Sequence, residues 1–306
     1  MILQTVVAGT VFAALASAAA ADCSSETDFV TGRFQQTGYS VVEAGEPFES
    51  DGRCRLAGLV LRENVIQLDI EEIAWALTGL EALESGDGEV VLDVDLENLR
   101  FAPQTSDPWF SYMMQQQNRR NLIDGRLNAS WNLGDGVFSV SELMIDLPGK
   151  NSFSLTSRTE GMSPDLLTGA MGVLAGVSLG EFDLMIENHG FLDGAILGYV
   201  VGQFSGTPGP PEAVVEGTKK ELLAIVAGLP EAAFPAASKG ALVTLIDAGP
   251  VPWGKLKVSV VTDAPISLAR LPGMGIVTGS AEPMSLEDAL AGAHVDIRFD
   301  ASESIE

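Results

Sequence analysis

The sequence predicts an α+β fold in which a long curved antiparallel sheet wraps around a few helices. Three observations carry that expectation. At least seven segments alternate apolar and polar residues, Asp-Gly pairs stand at turn positions (Asp87-Gly88 and Asp135-Gly136), and several apolar or amphipathic stretches of helical length interrupt the strands. Alternation with period two sends one face of a strand into a core and the other into water. Asp-Gly suits the tight turns that join antiparallel neighbours.

The chain opens on a leader. Val6 to Ala21 is apolar or small apart from Thr10 and Ser17, and Ala18 to Ala21 offers overlapping small-x-small cleavage sites just before polar Asp22-Cys23-Ser24. Cleavage near Ala21 leaves residues 22–306 as a single α+β domain, with a strand-rich part (23–160) and a mixed part (161–306). The stretch Met1-Ile2-Leu3-Gln4 has no Lys or Arg, which leaves the true start open. An uncleaved anchor is the alternative, because about 20 apolar residues span a bilayer. A lipid anchor on Cys23 is disfavoured by Asp22, which stands where a small residue is needed. Export would let Cys23 pair with Cys54, the only other cysteine, although two unrelated buried thiols would satisfy the sequence as well.

The strands follow in order. Ile66, Leu68 and Ile70 alternate with Gln67, Asp69 and Glu71, and Ile73, Trp75 and Leu77 continue; Leu92, Val94 and Leu96 alternate with Asp93, Asp95 and Glu97. Then come Leu127, Ala129, Trp131 and Leu133; Leu143, Ile145 and Leu147; Phe182, Leu184 and Ile186; Leu256, Val258 and Val260; and Val295, Ile297 and Phe299. Between them, Ser163-Pro164-Asp165 opens a helix to about Ala175. Phe191 to Phe204 is apolar with glycines at 194, 198 and 202, a spacing that admits close approach of another element. Gly206 to Pro211 breaks the chain, and Glu212 to Ala227 is amphipathic with Val215, Leu222, Leu223 and Val226 inward. Further helices are expected at Ala236 to Ile246 and from Ser285 to about Gly292.

Charge narrows the function classes. With 42 acidic and 17 basic residues the net charge is −25 at pH 7, which repels nucleic acid and anionic headgroups and favours basic partners. The 46% hydrophobic and 19% charged content is that of a globular chain rather than a disordered acidic tail.

Candidate chemistry is sparse. Gly176-Val177-Ser178-Leu179-Gly180 matches the G-x-S-x-G of hydrolase elbows, but an elbow needs a strand before the serine and a helix after it, and here the predicted order is reversed. His189 and His294, the only histidines, stand at element ends. Asp93-x-Asp95-x-Glu97 puts three carboxylates on one strand face, which suits either a cation or plain solvent exposure. Trp109, Phe110, Tyr112, Met113 and Met114 form the densest aromatic and methionine patch, ahead of a polar and basic run from Gln115 to Arg120. That patch is read either as an exposed surface for a partner or membrane or as a helix packing its apolar end on the sheet. Trp253, in Pro250 to Gly254, reads as a turn anchor.

Phe182 to His189-Gly190-Phe191-Leu192, with Gly254-Lys255-Leu256-Lys257-Val258 and Ala264-Pro265-Ile266, resembles a strand, helical pair and strand arrangement of exported alphaproteobacterial proteins of unknown function. The resemblance implies a periplasmic protein with an extended sheet and transfers no catalytic residue. The expectation is therefore a non-enzymatic periplasmic or secreted protein. It would be a scaffold or groove for a hydrophobic ligand or an envelope protein, able to touch a membrane without spanning it. No cofactor or metal is implied. The competing reading is a hydrolase using Ser178 or surface carboxylates. An outer-membrane barrel is disfavoured by only three tyrosines and by the apolar helices.

Overall fold

Each alternating segment becomes a strand with its apolar side inward. A computed structural model describes residues 23–36, 38–79, 81–102, 107–163, 176–204, 209–267 and 286–302. The leader and the helix expected from Ser163 to Ala175 lie outside these residues, apart from Ser163 itself. Among the described residues there are eleven strands and seven helices, so the chain is mainly antiparallel β. Contacts divide it into two compact units.

The first unit holds the described residues up to 148, with 160–163 and 176–177. Its elements are α1 (Cys23–Gln36), β1 (Ser40–Glu43), β2 (Phe48–Ser50), β3 (Arg53–Glu63), β4 (Ile66–Thr78), α2 (Glu81–Ser85), β5 (Glu89–Phe101), α3 (Pro108–Asn118), β6 (Ile123–Asn132) and β7 (Val137–Leu147). The strand order is β1-β3-β4-β5-β6-β7, with β2 also paired to β3 and every paired neighbour antiparallel. Asp135-Gly136 lies in the β6–β7 turn, as expected. Asp87-Gly88 does not join two strands: α2 intervenes, and the pair leads from that helix into β5.

One apolar face runs through this sheet, and it survives a change of parity. The inward residues are Leu56, Ile73 and Leu96 on one side of a line across β3, β4 and β5, and Leu59, Ile70 and Leu99 on the other. Inward positions there are three residues apart instead of two, at the same rank in all three strands. Gly58 (φ +68°) and Asn98 (φ +53°) take the left-handed backbone that absorbs the extra residue. Asn98 is held by its amide N–H donating to Asp124 Oδ1 (2.8 Å) and its Nδ2 donating to Glu71 Oε2 (2.9 Å).

Over this core lies α1. The Cys23–Cys54 disulfide, separated by 31 residues, ties it to β3, and Trp75, buried in the core, donates from Nε1 to Glu26 Oε2 at 2.7 Å. Phe34 adds a contact to the cluster of Leu56, Leu59, Leu61, Ile70 and Trp75. A second cluster, with Trp131, Val90, Leu92, Phe138 and Val140 at its centre, is covered by Ala82 and Leu83 of α2.

The second unit holds 149–159 and the described residues from 178. Its elements are β8 (Asn151–Glu160), β9 (Ser178–Asn188), α4 (Asp193–Phe204), α5 (Pro211–Ala227), α6 (Ala236–Ala248), β10 (Gly254–Ser267), α7 (Leu286–Ala289) and β11 (Ala293–Ala301), with strand order β8-β9-β10-β11. Val295 and Ile297 pack with Ile266, Val258 and Val260 beneath Ala241 and Leu242 of α6. Leu222, expected inward on α5, is exposed together with Ile225, whereas Val226 is buried.

The outer edge of β11 is closed by one side chain. Ser238, 1% exposed, donates from Oγ to Val295 O at 2.9 Å and accepts from Ile297 N at 3.0 Å, while Val295 N donates to Ala233 O. An exposed edge invites pairing with another chain, and this one is occupied over its middle.

Two stability outcomes follow. Cys54→Ser is expected to lower urea-measured stability by about 3–4 kcal/mol, the loop-closure value for a ring of this length; a loss under about 1 kcal/mol would show that α1 contributes little. Ser238→Ala leaves a buried donor and acceptor unmatched and is expected to cost about 2–3 kcal/mol, with faster amide exchange confined to residues near 295–297.

Candidate functional site

Asp107 starts α3. Its backbone is extended (φ −94°, ψ 111°), and Oδ1 accepts from the amides of Trp109 (2.8 Å) and Phe110 (3.3 Å), while Pro108 occupies the first turn, where no amide partner is required. At about 100° per residue, Trp109, Tyr112, Met113 and Gln116 fall on one side and Ser111, Gln115 and Asn118 on the other. Exposure follows that division in the unexpected sense: Trp109 is 81% exposed, Tyr112 57%, Phe110 45% and Met113 45%, while Ser111 is buried. Met114 is half-buried. The apolar end of α3 therefore does not pack on the sheet.

The reason lies beneath the helix. Gln67, Asp69 and Arg100 belong to the polar side of β4 and β5, and they share a recess of about 270 Å³ with Gln115, Gln116 and Asn118 of α3 and with Arg119, which caps its end. A helix seated over polar side chains turns its amides down and leaves its aromatic residues to solvent.

Of the candidate carboxylate row on β5, Asp93 and Asp95 are engaged by arginine, and Glu97 makes no ion pair among the described residues. Arg53 Nη2 meets Asp93 Oδ1 at 3.1 Å and its Nη1 bonds Asp95; Arg126 Nε reaches Asp95 Oδ1 at 3.0 Å and its Nη1 lies 3.8 Å from Glu142 Oε1, and Arg55 bonds Glu72. Asp93 and Asp95 thus already hold guanidinium partners where a cation would sit, and among the described residues no group of three metal-ligating side chains assembles. Burial pushes the Asp95 carboxyl up, but the hydrogen bonds and charges of Arg53 and Arg126 outweigh it and hold the group below its usual range.

The remaining candidates are dispersed. Ser178 is the first residue of β9, paired with Ser267, and no strand-turn-helix elbow is formed around it. His189 follows the other end of β9, roughly 33 Å along the strand at about 3.3 Å per residue, and its Nε2 faces Glu187 Oε1 at 3.0 Å. His294 faces Asp263 at 3.5 Å on the surface. The glycines of α4 meet nothing within contact distance among the described residues, and Leu197 and Val201 beside them are exposed.

Residues that the sequence reading did not single out organise the loop after β9. Buried Asn188 uses both ends of its amide: Nδ2 donates to Pro252 O (3.0 Å) and Asp193 Oδ1 (3.3 Å), and Oδ1 accepts from Gly190 N (3.1 Å) and Leu192 N (3.3 Å). Buried Asn151 accepts from the amides of His189 and Phe191. Trp253 anchors the turn as expected, donating from Nε1 to Asp193 Oδ2 at 2.9 Å. Gly190 (φ +103°) lies under its ring, where a Cβ would come within 2.9 Å. The juxtaposition of Asn-His-Gly and Pro-Trp-Gly was visible as two motifs; Asn151 carried no signal beyond its place after a turn.

No protein-family model matches the chain, and no curated protein matches it either.

Because the Asp95 carboxyl holds its proton less tightly when folded than when unfolded, its contribution to stability is full above about pH 4, the ordinary aspartate value, and is lost as pH falls below it. Arg53→Met is expected to cost about 1–2 kcal/mol at neutral pH and to move the acid-unfolding midpoint upward. A stability gap between wild type and variant that stays constant down to about pH 2 would contradict this assignment.

Proposed function

We propose that this chain is an exported, non-enzymatic binding protein of the cell envelope that engages a protein partner through the outward face of α3. The observation that carries the reading is the inverted helix: Trp109, Phe110, Tyr112 and Met113 in water, with polar residues turned to the sheet. Aromatic residues, methionine and arginine are the types enriched at the centres of protein interfaces, and Arg119 and Arg120 lie exposed at the end of the same helix.

Charge selects the occupant. A net charge of −25 repels an anionic lipid surface and steers basic proteins inward, so the partner is a protein with an apolar cleft set in a basic surface. The antiparallel strands, with helices on their apolar side, are the scaffold. The alanine-ended leader and the Cys23–Cys54 disulfide support a periplasmic or secreted setting. No helix among the described residues is long and apolar enough to cross a membrane.

A photo-crosslinking residue at position 109, expressed in the native host, is expected to give one discrete protein adduct that disappears in the Phe110→Asp/Met113→Asp double variant. The same residue at exposed Val261 serves as the control. Absence of any adduct at 109, or sedimentation of the purified chain with phosphatidylglycerol vesicles, would overturn the proposal.

A further inference from the structure

We propose that the recess on the inner side of α3 binds a small hydroxylated carboxylate with the size and chemistry of a uronic acid. The recess is lined by Gln115, Gln116 and Asn118 in the C-terminal half of α3 and by Arg119, whereas the exposed aromatic residues stand in its N-terminal half, and the proposal does not depend on the docking reading.

Arg100 carries the argument. Arg53, Arg55, Arg126 and Arg298 each meet a carboxylate, whereas half-buried Arg100 makes no ion pair among the described residues; its Nε, like those of Arg53 and Arg55, is buried without a hydrogen-bond partner. It stands directly across from Asp69 in the β4–β5 ladder and lines the recess. Arg119, at the other rim, donates to Gln116 Oε1 at 3.5 Å and makes no ion pair among the described residues. Two guanidiniums that meet no carboxylate among the described residues thus line one concavity in a strongly acidic chain. A carboxylate is the planar acceptor that matches a guanidinium.

The other walls specify the rest of the ligand. Asp69 is the one carboxylate of the lining, so two guanidiniums against one acid leave a single positive charge, which fits a monoanion. Asp69 Oδ1 accepts from Gln67 Nε2 at 2.8 Å, and its second oxygen is available to accept from a hydroxyl. The amides of Gln115 and Asn118 both donate and accept, as recognition of hydroxyl groups requires. Phe101, 43% exposed, supplies an apolar wall for the C–H face of a ring. A volume of about 270 Å³ suits a ligand of monosaccharide size.

Isothermal titration of the purified chain with sodium glucuronate, glucose and acetate tests the proposal. Glucuronate is expected to bind saturably at one site, and glucose and acetate, each lacking half of the recognised chemistry, about tenfold or more weakly. Arg100→Gln is expected to weaken glucuronate about tenfold, and Arg119→Gln, at an exposed helix end, provides a second variant whose folding is not in question. An oligogalacturonate arm separates the sources: tighter binding than the monomer assigns a polysaccharide, equal binding the free acid, and both support the site. No saturable binding of glucuronate, acetate binding as tight as glucuronate, or affinity unchanged in both variants would overturn it.

Discussion

The structure depends on one constraint: three neighbouring strands must change the parity of their inward residues at the same rank. If β3 shifted alone, every residue beyond Gly58 would exchange its core face for its solvent face, because side chains alternate with period two. The shift instead passes from Gly58 through Glu71 to Asn98, and Leu59, Ile70 and Leu99 continue the face begun by Leu56, Ile73 and Leu96. The disulfide and Trp75 then have a continuous apolar surface on which to seat α1.

The same alternation explains where the charge goes. The polar side of β5 presents Asp93 and Asp95, and arginines from β3 and β6 reach across to meet them. Their attraction is modest because the groups are only partly buried, but it removes a like-charge repulsion along the strand. Where the polar side is not met by an arginine ladder, α3 covers it and turns over in doing so. An exposed aromatic face and a polar recess are two results of one helix resting on the wrong side of a sheet.

Most strands were legible because their burial is one-sided, and even the parity change was written in β4, where Ile66, Leu68 and Ile70 give way to Ile73, Trp75 and Leu77. β8 was not legible: Asn-Ser-Phe-Ser-Leu-Thr-Ser-Arg-Thr-Glu is half-buried along nearly its whole length and has too few apolar residues to mark a face. Nor was α1, whose docking uses a covalent tether and a Trp–Glu hydrogen bond together with the Phe34 contact. For α3 the composition announced the patch but left its direction open, since direction is set by which side of the sheet lies underneath. Arg100 was hidden for a similar reason. An arginine on a strand looks solvated until the helix that roofs it is in place.

Ser238 has a consequence of another kind. An antiparallel array has no internal rule that fixes how many strands it contains, since each new strand offers the next the same row of groups. Here one hydroxyl, acting as donor and acceptor at once, occupies the positions a further strand would use. Strand number at this end is thus limited by residues outside the sheet, the Ser238 hydroxyl and the Ala233 carbonyl, which occupy the middle of the β11 edge that a neighbouring copy would otherwise read as a template.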